Sequence, residues 1–290
     1  MENAAHAELL DHEVYRTPLT VQPEFEDRDT PASYRRSHIG PAKLPDEFRV
    51  WRVQETQEGS VIASSYGFRD SPDAEILAVG FNNGKHYGAV GIGRHGNFLQ
   101  WGYGDPPSKM TEAGRRLFLN CIHYIHRFDG KGPLVRTIAQ PRVCAIAAAP
   151  TVERIWQKIQ KENDKKVTLA VPDDVIRQFL GDPNGLTQYY RDNIEFIYYR
   201  DWQFRVDREL QSLGFDSNRT TATLERLISL LKDEKNTGTA RSLLSRYTIQ
   251  SFQEPEQWHS WFEQNKERIY FTDVGGYKFL VVPRGYLDIP

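Results

Sequence analysis

Residues 189–201, YYRDNIEFIYYRD, and residues 261–273, WFEQNKERIYFTD, read as two versions of one pattern. Asn193, Glu195, Ile197, Tyr198 and Asp201 match Asn265, Glu267, Ile269, Tyr270 and Asp273 at an offset of 72 residues, and Tyr189, Tyr190 and Tyr199 stand opposite Trp261, Phe262 and Phe271. The same offset aligns residues 151–163 (TVERIWQKIQKEN) with 223–235 (TLERLISLLKDEK), where Thr151, Glu153, Arg154 and Glu162 recur as Thr223, Glu225, Arg226 and Glu234. Chance gives about one identity in a window of this size at ordinary residue frequencies. A shared offset in both windows therefore signals a tandem repeat. After a slip of three residues, residues 202–206 (WQFRV) meet 277–281 (YKFLV). Each copy, about 149–214 and 221–287, is predicted to hold a first helix, a short second helix near residues 175–180 or 243–248, and a third helix running into a tight strand pair. A unit this small buries little alone, so the copies are expected to stack on each other or on the rest of the chain.

Upstream of the repeat the pattern changes to strands and one long helix. Residues 48–53 (FRVWRV) alternate with period two, as a half-buried strand does. Residues 61–63 and 75–79 follow, and Asn82-Asn83-Gly84-Lys85 is a hairpin signal ahead of further strands at 87–92 and 98–101. A helix is expected from Thr111, a good N-cap, with Leu117, Phe118, Cys121, Ile122, Ile125 and Phe128 as its apolar stripe and Gly130 ending it. Residues 16–46, with Pro18, Pro23, Pro31, Pro41 and Pro45, read as an extended surface wrap. The expected fold class is α+β, divided into residues 1–145, rich in strands, and residues 146–290, the mainly helical repeat module with short hairpins.

The chain has 290 residues and 33.5 kDa, which favours two domains. With 37 basic and 39 acidic residues, a net charge of −2 and a pI near 6.5, it lacks the clustered cationic excess that nucleic acid or an anionic membrane requires. No apolar run reaches the roughly 18 residues of a membrane span. The first residues show no secretory leader pattern, so a soluble, cytoplasmic protein is expected. Cys121 and Cys144 are too few for a disulfide framework or a four-cysteine zinc site.

Candidate chemistry is sparse. Gly91-Ile92-Gly93-Arg94-His95-Gly96 spells G-x-G-x-x-G, but a dinucleotide loop must open a helix, and residues 97–101 (NFLQW) read as a strand. These glycines are therefore expected to serve a tight turn or close strand approach, and no cofactor is assigned. His95 lies at that bend and is the candidate catalytic base, with Asp70, Asp73 or Asp105 as the acid that folding would have to bring to it. Cys121, His123 and His126 resemble a ligand set by spacing, but on an intact helix His123 and Cys121 point to different sides, so no metal is assigned. The aromatic run 189–204, interleaved with Arg191 and Arg200, admits sugar stacking or single-strand binding. Its recurrence in the second copy favours packing. Asp201 and Asp273 read as turn starters.

Three segments of the first half carry a family resemblance. Asp11-His12-Glu13-Val14-Tyr15-Arg16-Thr17-Pro18-Leu19, residues 84–97 (GKHYGAVGIGRHGN) and residues 111–125 (TEAGRRLFLNCIHYI, with Asn120-x-x-x-Tyr124) resemble the entry segment, penultimate strand with its Gly-His turn, and final helix of the ThuA-like branch of the class I glutamine amidotransferase fold. The resemblance spans about residues 11–128. It implies the closing portion of an α/β amidotransferase-like sheet, and the group's association with sugar utilisation. It does not imply glutaminase chemistry. The family's nucleophile elbow has no counterpart, the two cysteines lie in and beyond the final helix, and His95 is followed by Gly96-Asn97 where the family has an acid two residues on. Leu244-x-x-Tyr247-Thr248, Phe252 and Trp258-x-x-Trp261-x-x-x-Asn265 resemble a closing motif beside helical repeats in some bacterial proteins.

Two functions follow. The first is a non-catalytic interaction protein built on an incomplete scaffold, docking a protein or carbohydrate partner, and able to self-associate through an exposed sheet edge. The second is a hydrolase or sugar-processing enzyme using His95 with a nearby Asp.

Overall fold

The computed structural model describes residues 4–6, 11–38, 43–56, 62–136, 139–162 and 169–288. The chain is α+β, with helices and small antiparallel sheets. It divides into two units, Met1–Leu134 with Arg284–Pro290, and Val135–Pro283. The break falls ahead of the 145/146 position expected from sequence. Residues beyond it are already tied into the second unit: Ala139 N–H donates to the Val274 carbonyl at 2.7 Å, and Arg142 pairs with Asp273.

The first unit contains β1 (Ala4–His6), β2 (Phe25–Asp29), α1 (Ala32–Ser37), β3 (Glu47–Arg52), α2 (Tyr66–Arg69), β4 (Ala74–Val79), β5 (Val90–His95), β6 (Phe98–Trp101) and α3 (Glu112–His126). Its strands form two antiparallel sheets, β1-β3-β2 and β4-β5-β6, bridged between Ala5 and Gly80. The predicted strand β3 is central, and both of its faces are covered. Trp51 packs with Ala5, Leu77, Ile92 and α3, while Phe48 and Val50 pack with Ala4, Tyr34 and Phe81. The alternation of a strand puts neighbouring side chains on opposite faces, so each face of β3 has its own cluster. Val61, at the head of the expected strand 61–63, lies outside the described residues; Ala63 makes an isolated bridge to Val90. β4 and β5 are antiparallel neighbours, joined by a longer connection than a two-residue hairpin at Asn82–Lys85 would give. Gly91 and Gly93 lie within β5 and Gly96 sits at the β5–β6 turn with φ 56°, so none of the three opens a helix.

Helix α3 starts where its cap chemistry predicts: the Thr111 hydroxyl accepts from Gly114 N–H at 3.0 Å. Its buried side differs from the predicted stripe. Ala113, Gly114, Leu117, Asn120, Cys121 and Tyr124 face inward, whereas Ile122 is exposed. Asn120 is the physical reason. Its amide donates to the carbonyls of Val14 and Leu19, both at 2.6 Å, and accepts from Leu19 N–H at 2.9 Å. A hydropathy pattern counts Asn as an outward residue, but here it is buried and satisfies the backbone of Val14 and Leu19. The surface-wrap reading of residues 16–46, of which 39–42 lie outside the described residues, is corrected as well: Val21 belongs to the core, β2 pairs with β3, and Tyr34 is fully buried with its hydroxyl donating to the Gly80 carbonyl at 2.9 Å.

The second unit contains α4 (Val143–Glu162), α5 (Asp173–Gln178), α6 (Pro183–Asp192), β7 (Ile197–Arg200), β8 (Gln203–Val206), α7 (Arg208–Ser212), α8 (Thr221–Ser229), α9 (Thr237–Tyr247), α10 (Pro255–Asn265), β9 (Ile269–Thr272) and β10 (Lys278–Val281). Both α6 and α10 begin with Pro at the first turn, where the missing N–H costs nothing. The Asp182 carboxylate caps α6, and a Glu254–Gln257 capping box caps α10. Each helix leads through a 3-10 turn into an antiparallel strand pair. Asn193 and Asn265 each donate to the carbonyl four residues earlier at 2.7 Å. Asp207 N–H donates to the Phe196 carbonyl and Val282 N–H to the Arg268 carbonyl, both at 2.9 Å. The connections differ: Asp201 and Trp202 alone separate the paired Arg200 and Gln203, while residues 273–277 separate Thr272 from Lys278. The earlier helices are less alike, since Ile155 is exposed and Leu227 fully buried.

Candidate functional site

His95 ends β5, and the register pairs it with Ala74, so the residue before Ala74 lies beside it. That residue is Asp73. The His95 Nε2 atom is 3.4 Å from Asp73 Oδ1 and 3.5 Å from Ser71 Oγ. Ser71 donates to the same Oδ1 at 2.6 Å. The other oxygen, Oδ2, accepts from Leu134 N–H at 2.9 Å and lies 3.1 Å from the Tyr286 hydroxyl, which is itself 2.6 Å from the Gly132 carbonyl oxygen. Asp73 is buried. Burial pushes its carboxyl pKa up, but the hydrogen bonds from His95, Ser71 and Leu134 outweigh that and hold it well below the usual carboxylate range.

The other two candidate acids are placed differently. Asp70 closes the short helix α2. Asp105 is buried in another part of the unit, where its Oδ2 accepts from Thr56 N–H at 3.2 Å and from the Thr56 hydroxyl at 2.6 Å.

A nucleophile relay needs one ring nitrogen to take the serine proton while the other donates to the acid. Here a single nitrogen, Nε2, faces both Ser71 and Asp73, and the serine proton is already directed to Asp73. Ser71 is also buried. The arrangement anchors the start of β4 to the end of β5 and to two later segments of the unit.

Beside it lies a cluster that sequence spacing does not reveal. Glu75 accepts from Arg94 at 2.8 Å and from the Tyr124 hydroxyl, and its Oε2 lies 3.8 Å from His12 Nε2. The Arg94 guanidinium lies 3.7 Å from the Phe128 ring centroid. His12 is held by its other nitrogen, which accepts from Val14 N–H at 3.2 Å, and burial pushes its pKa down. Of the residues with metal-like spacing, Cys121 faces the core, where burial pushes its thiol up to about 12, while His123 and His126 are exposed.

In the second unit a buried polar network runs through the interior. The Arg142 guanidinium forks onto Asp273 at 2.7 Å and also donates to the Ile194 carbonyl at 2.9 Å and to Asn218 at 3.1 Å. Asp273 is thus more than the turn starter that its sequence position predicts. Asn218 in turn meets the Tyr247 hydroxyl, which donates to Asp207 at 2.6 Å.

Close to this network is a cavity of about 450 Å³, within the range of small-ligand sites. Strand β7 supplies Tyr198, Tyr199 and Arg200, α9 supplies Ser242, Ser245 and Arg246, and the β9–β10 hairpin supplies Gly276, Tyr277 and Lys278. Lys278 Nζ donates to the carbonyls of Ser245, Arg246 and Thr248, capping the C-terminal end of α9. Burial, and then the positive charge of Arg200, push its pKa down. Arg246 donates to Asp207 and Glu209, both at 2.6 Å, with its guanidinium 5.0 Å from the Tyr198 ring centroid. No family model, curated protein or solved structure matches the chain.

Proposed function

We propose that this chain is a non-catalytic binding protein in which the His95 cluster locks the first unit together and the second unit supplies the binding cavity. One observation carries this reading: Ser71 Oγ and His95 Nε2 converge on the same buried oxygen of Asp73, so the imidazole acts as a donor and not as a base. Kinship with the ThuA-like amidotransferase scaffold belongs to the proposal and rests on residues 11–19, 84–97 and 111–125. So does the reading of α6 to β8 and α10 to β10 as copies of one unit, which the matched Asn193 and Asn265 bonds support. Self-association is its natural extension. β6 is an edge strand, and Phe98 stands two-thirds exposed on it at 67%.

The enzyme reading is favoured by the 3.4 Å approach of His95 to Asp73. Nitrogen-15 NMR of the His95 ring, read for which nitrogen carries the proton, separates the two. The binding reading expects the proton on Nε2, donated to Asp73. A proton on Nδ1, with Nε2 accepting from Ser71, is the arrangement of a working relay and would sink it.

A further inference from the structure

The second-unit cavity has a donor set with unspent capacity. Tyr198, Ser242 and Ser245 are among the residues that line it, and their side-chain hydroxyls make no hydrogen bond among the described residues. Unspent hydroxyls around a concavity are what a polar ligand would complete. Its charge is one-sided. Arg200, Arg246 and Lys278 line it, and no carboxylate does. Arg246 is offset from behind by Asp207 and Glu209, whereas Lys278 is met only by neutral carbonyls. Arg200 is exposed, and its guanidinium is 3.7 Å from the equally exposed Asp201, a contact that water screens. Two positive charges, those of Arg200 and Lys278, therefore line one space, where burial first and then the Arg200 charge disfavour the Lys278 ammonium. An anion placed between them removes that repulsion.

We propose that this cavity binds a small anionic ring-bearing ligand, its phosphate or carboxylate head on Arg200 beside Lys278 and its hydroxyl-bearing ring against Tyr198, which shares the Arg200 face of β7, held by Ser242 and Ser245. The inference rests on the binding reading above and gives it a ligand class. Aromatic faces accept the apolar face of a sugar ring, a guanidinium matches the planar geometry of a carboxylate or phosphate, and serine hydroxyls pair with ring hydroxyls. The cavity volume suits a monosaccharide carrying one charged group.

Isothermal titration calorimetry of the full chain tests this with glucose 6-phosphate, glucuronate, glucose and inorganic phosphate as probes. Glucose 6-phosphate or glucuronate is expected to bind one to one, and whichever is tighter identifies the head group. Neutral glucose and free phosphate are each expected to bind at least about tenfold more weakly. Arg200→Gln, at an exposed position that should leave folding intact, is expected to weaken the charged sugar by about tenfold or more. The double variant Ser242→Ala with Ser245→Ala is expected to weaken it by a similar factor, and His95→Ala to leave it unchanged. The proposal is overturned if neither charged sugar binds, if glucose or inorganic phosphate binds as tightly, or if Arg200→Gln changes nothing. Those outcomes leave the His95 tautomer untouched, so a failure of the ligand class is distinguishable from a failure of the non-catalytic reading.

Discussion

Asp73 shows how one buried side chain sets what its neighbours can do. Its two oxygens collect Ser71, His95 and the Leu134 amide, so the carboxylate is favoured over the acid and its pKa falls on folding. In acid the unfolded chain therefore takes up this proton before the folded chain does. The resulting stability is fully present above the unfolded-state value near ~4 and is lost as pH falls below it. Urea midpoints measured at neutral pH and near pH 3 are expected to fall for the wild type and to fall by less for Asp73→Asn. An equal fall in both would remove Asp73 from the account. The neutral-pH cost of Asp73→Ala is expected to be about 3 kcal/mol, because buried donors lose their acceptor. From sequence, Asp70, Asp73 and Asp105 are equivalent partners for His95. Strand register separates them by pairing Ala74 with His95, and register is a property of two strands that no spacing along one chain encodes. The Glu75–Arg94–Tyr124 cluster was illegible for the same reason.

At the scale of elements, what could be read was what local chemistry determines. The Thr111 cap, the Pro-led helices α6 and α10, and the hairpin strands in both halves of the second unit all carry their signals within a few residues. β1 and β2 do not. Ala4-Ala5-His6 has no alternation to detect, and Phe25-Glu26-Asp27-Arg28-Asp29 carries the charges of an edge strand, so both depend on β3 to exist. The rotated face of α3 was hidden because Asn120 is buried for its hydrogen bonds and not for its hydropathy. One element keeps a conformation its sequence resists. Asp201 and Trp202 turn between β7 and β8 with φ of 51° and 64°, the positive pair of a type I′ turn, which favours Asn-Gly. A bulky residue is strained there, and Trp202 is 75% exposed, so it gains little from packing. Trp202→Gly is expected to stabilise the chain by about 1 kcal/mol in urea unfolding. A loss of stability would show that the indole makes a contribution larger than the strain.

Over the whole molecule, the chain divides into two units, each tied together by contacts between distant residues. The first unit includes the returning residues 284–288, where the Tyr286 hydroxyl reaches Asp73 and the Tyr286 carbonyl is held by Lys131 at 2.7 Å. In the second unit Arg142 reaches residues as distant as Ile194 and Asp273. Breaking such a buried ion pair is costly because a charge is left without its partner. Neither network was visible along the sequence, since their members are separated by long stretches of chain. The two units also use their polar groups differently. In the first, Ser71 and Asp73 spend theirs on internal bonds. In the second, Tyr198, Ser242 and Ser245 line a cavity together with the cations Arg200, Arg246 and Lys278. Among the described residues no helix is long and apolar enough to cross a membrane. The binding proposal holds that this chain does not turn over a substrate. The most direct test is product formation by the purified full chain on nitrophenyl esters, glycosides and phosphates, beside His95→Ala. The account expects both proteins to match buffer alone; turnover by the wild type that disappears in a folded His95→Ala variant would contradict it.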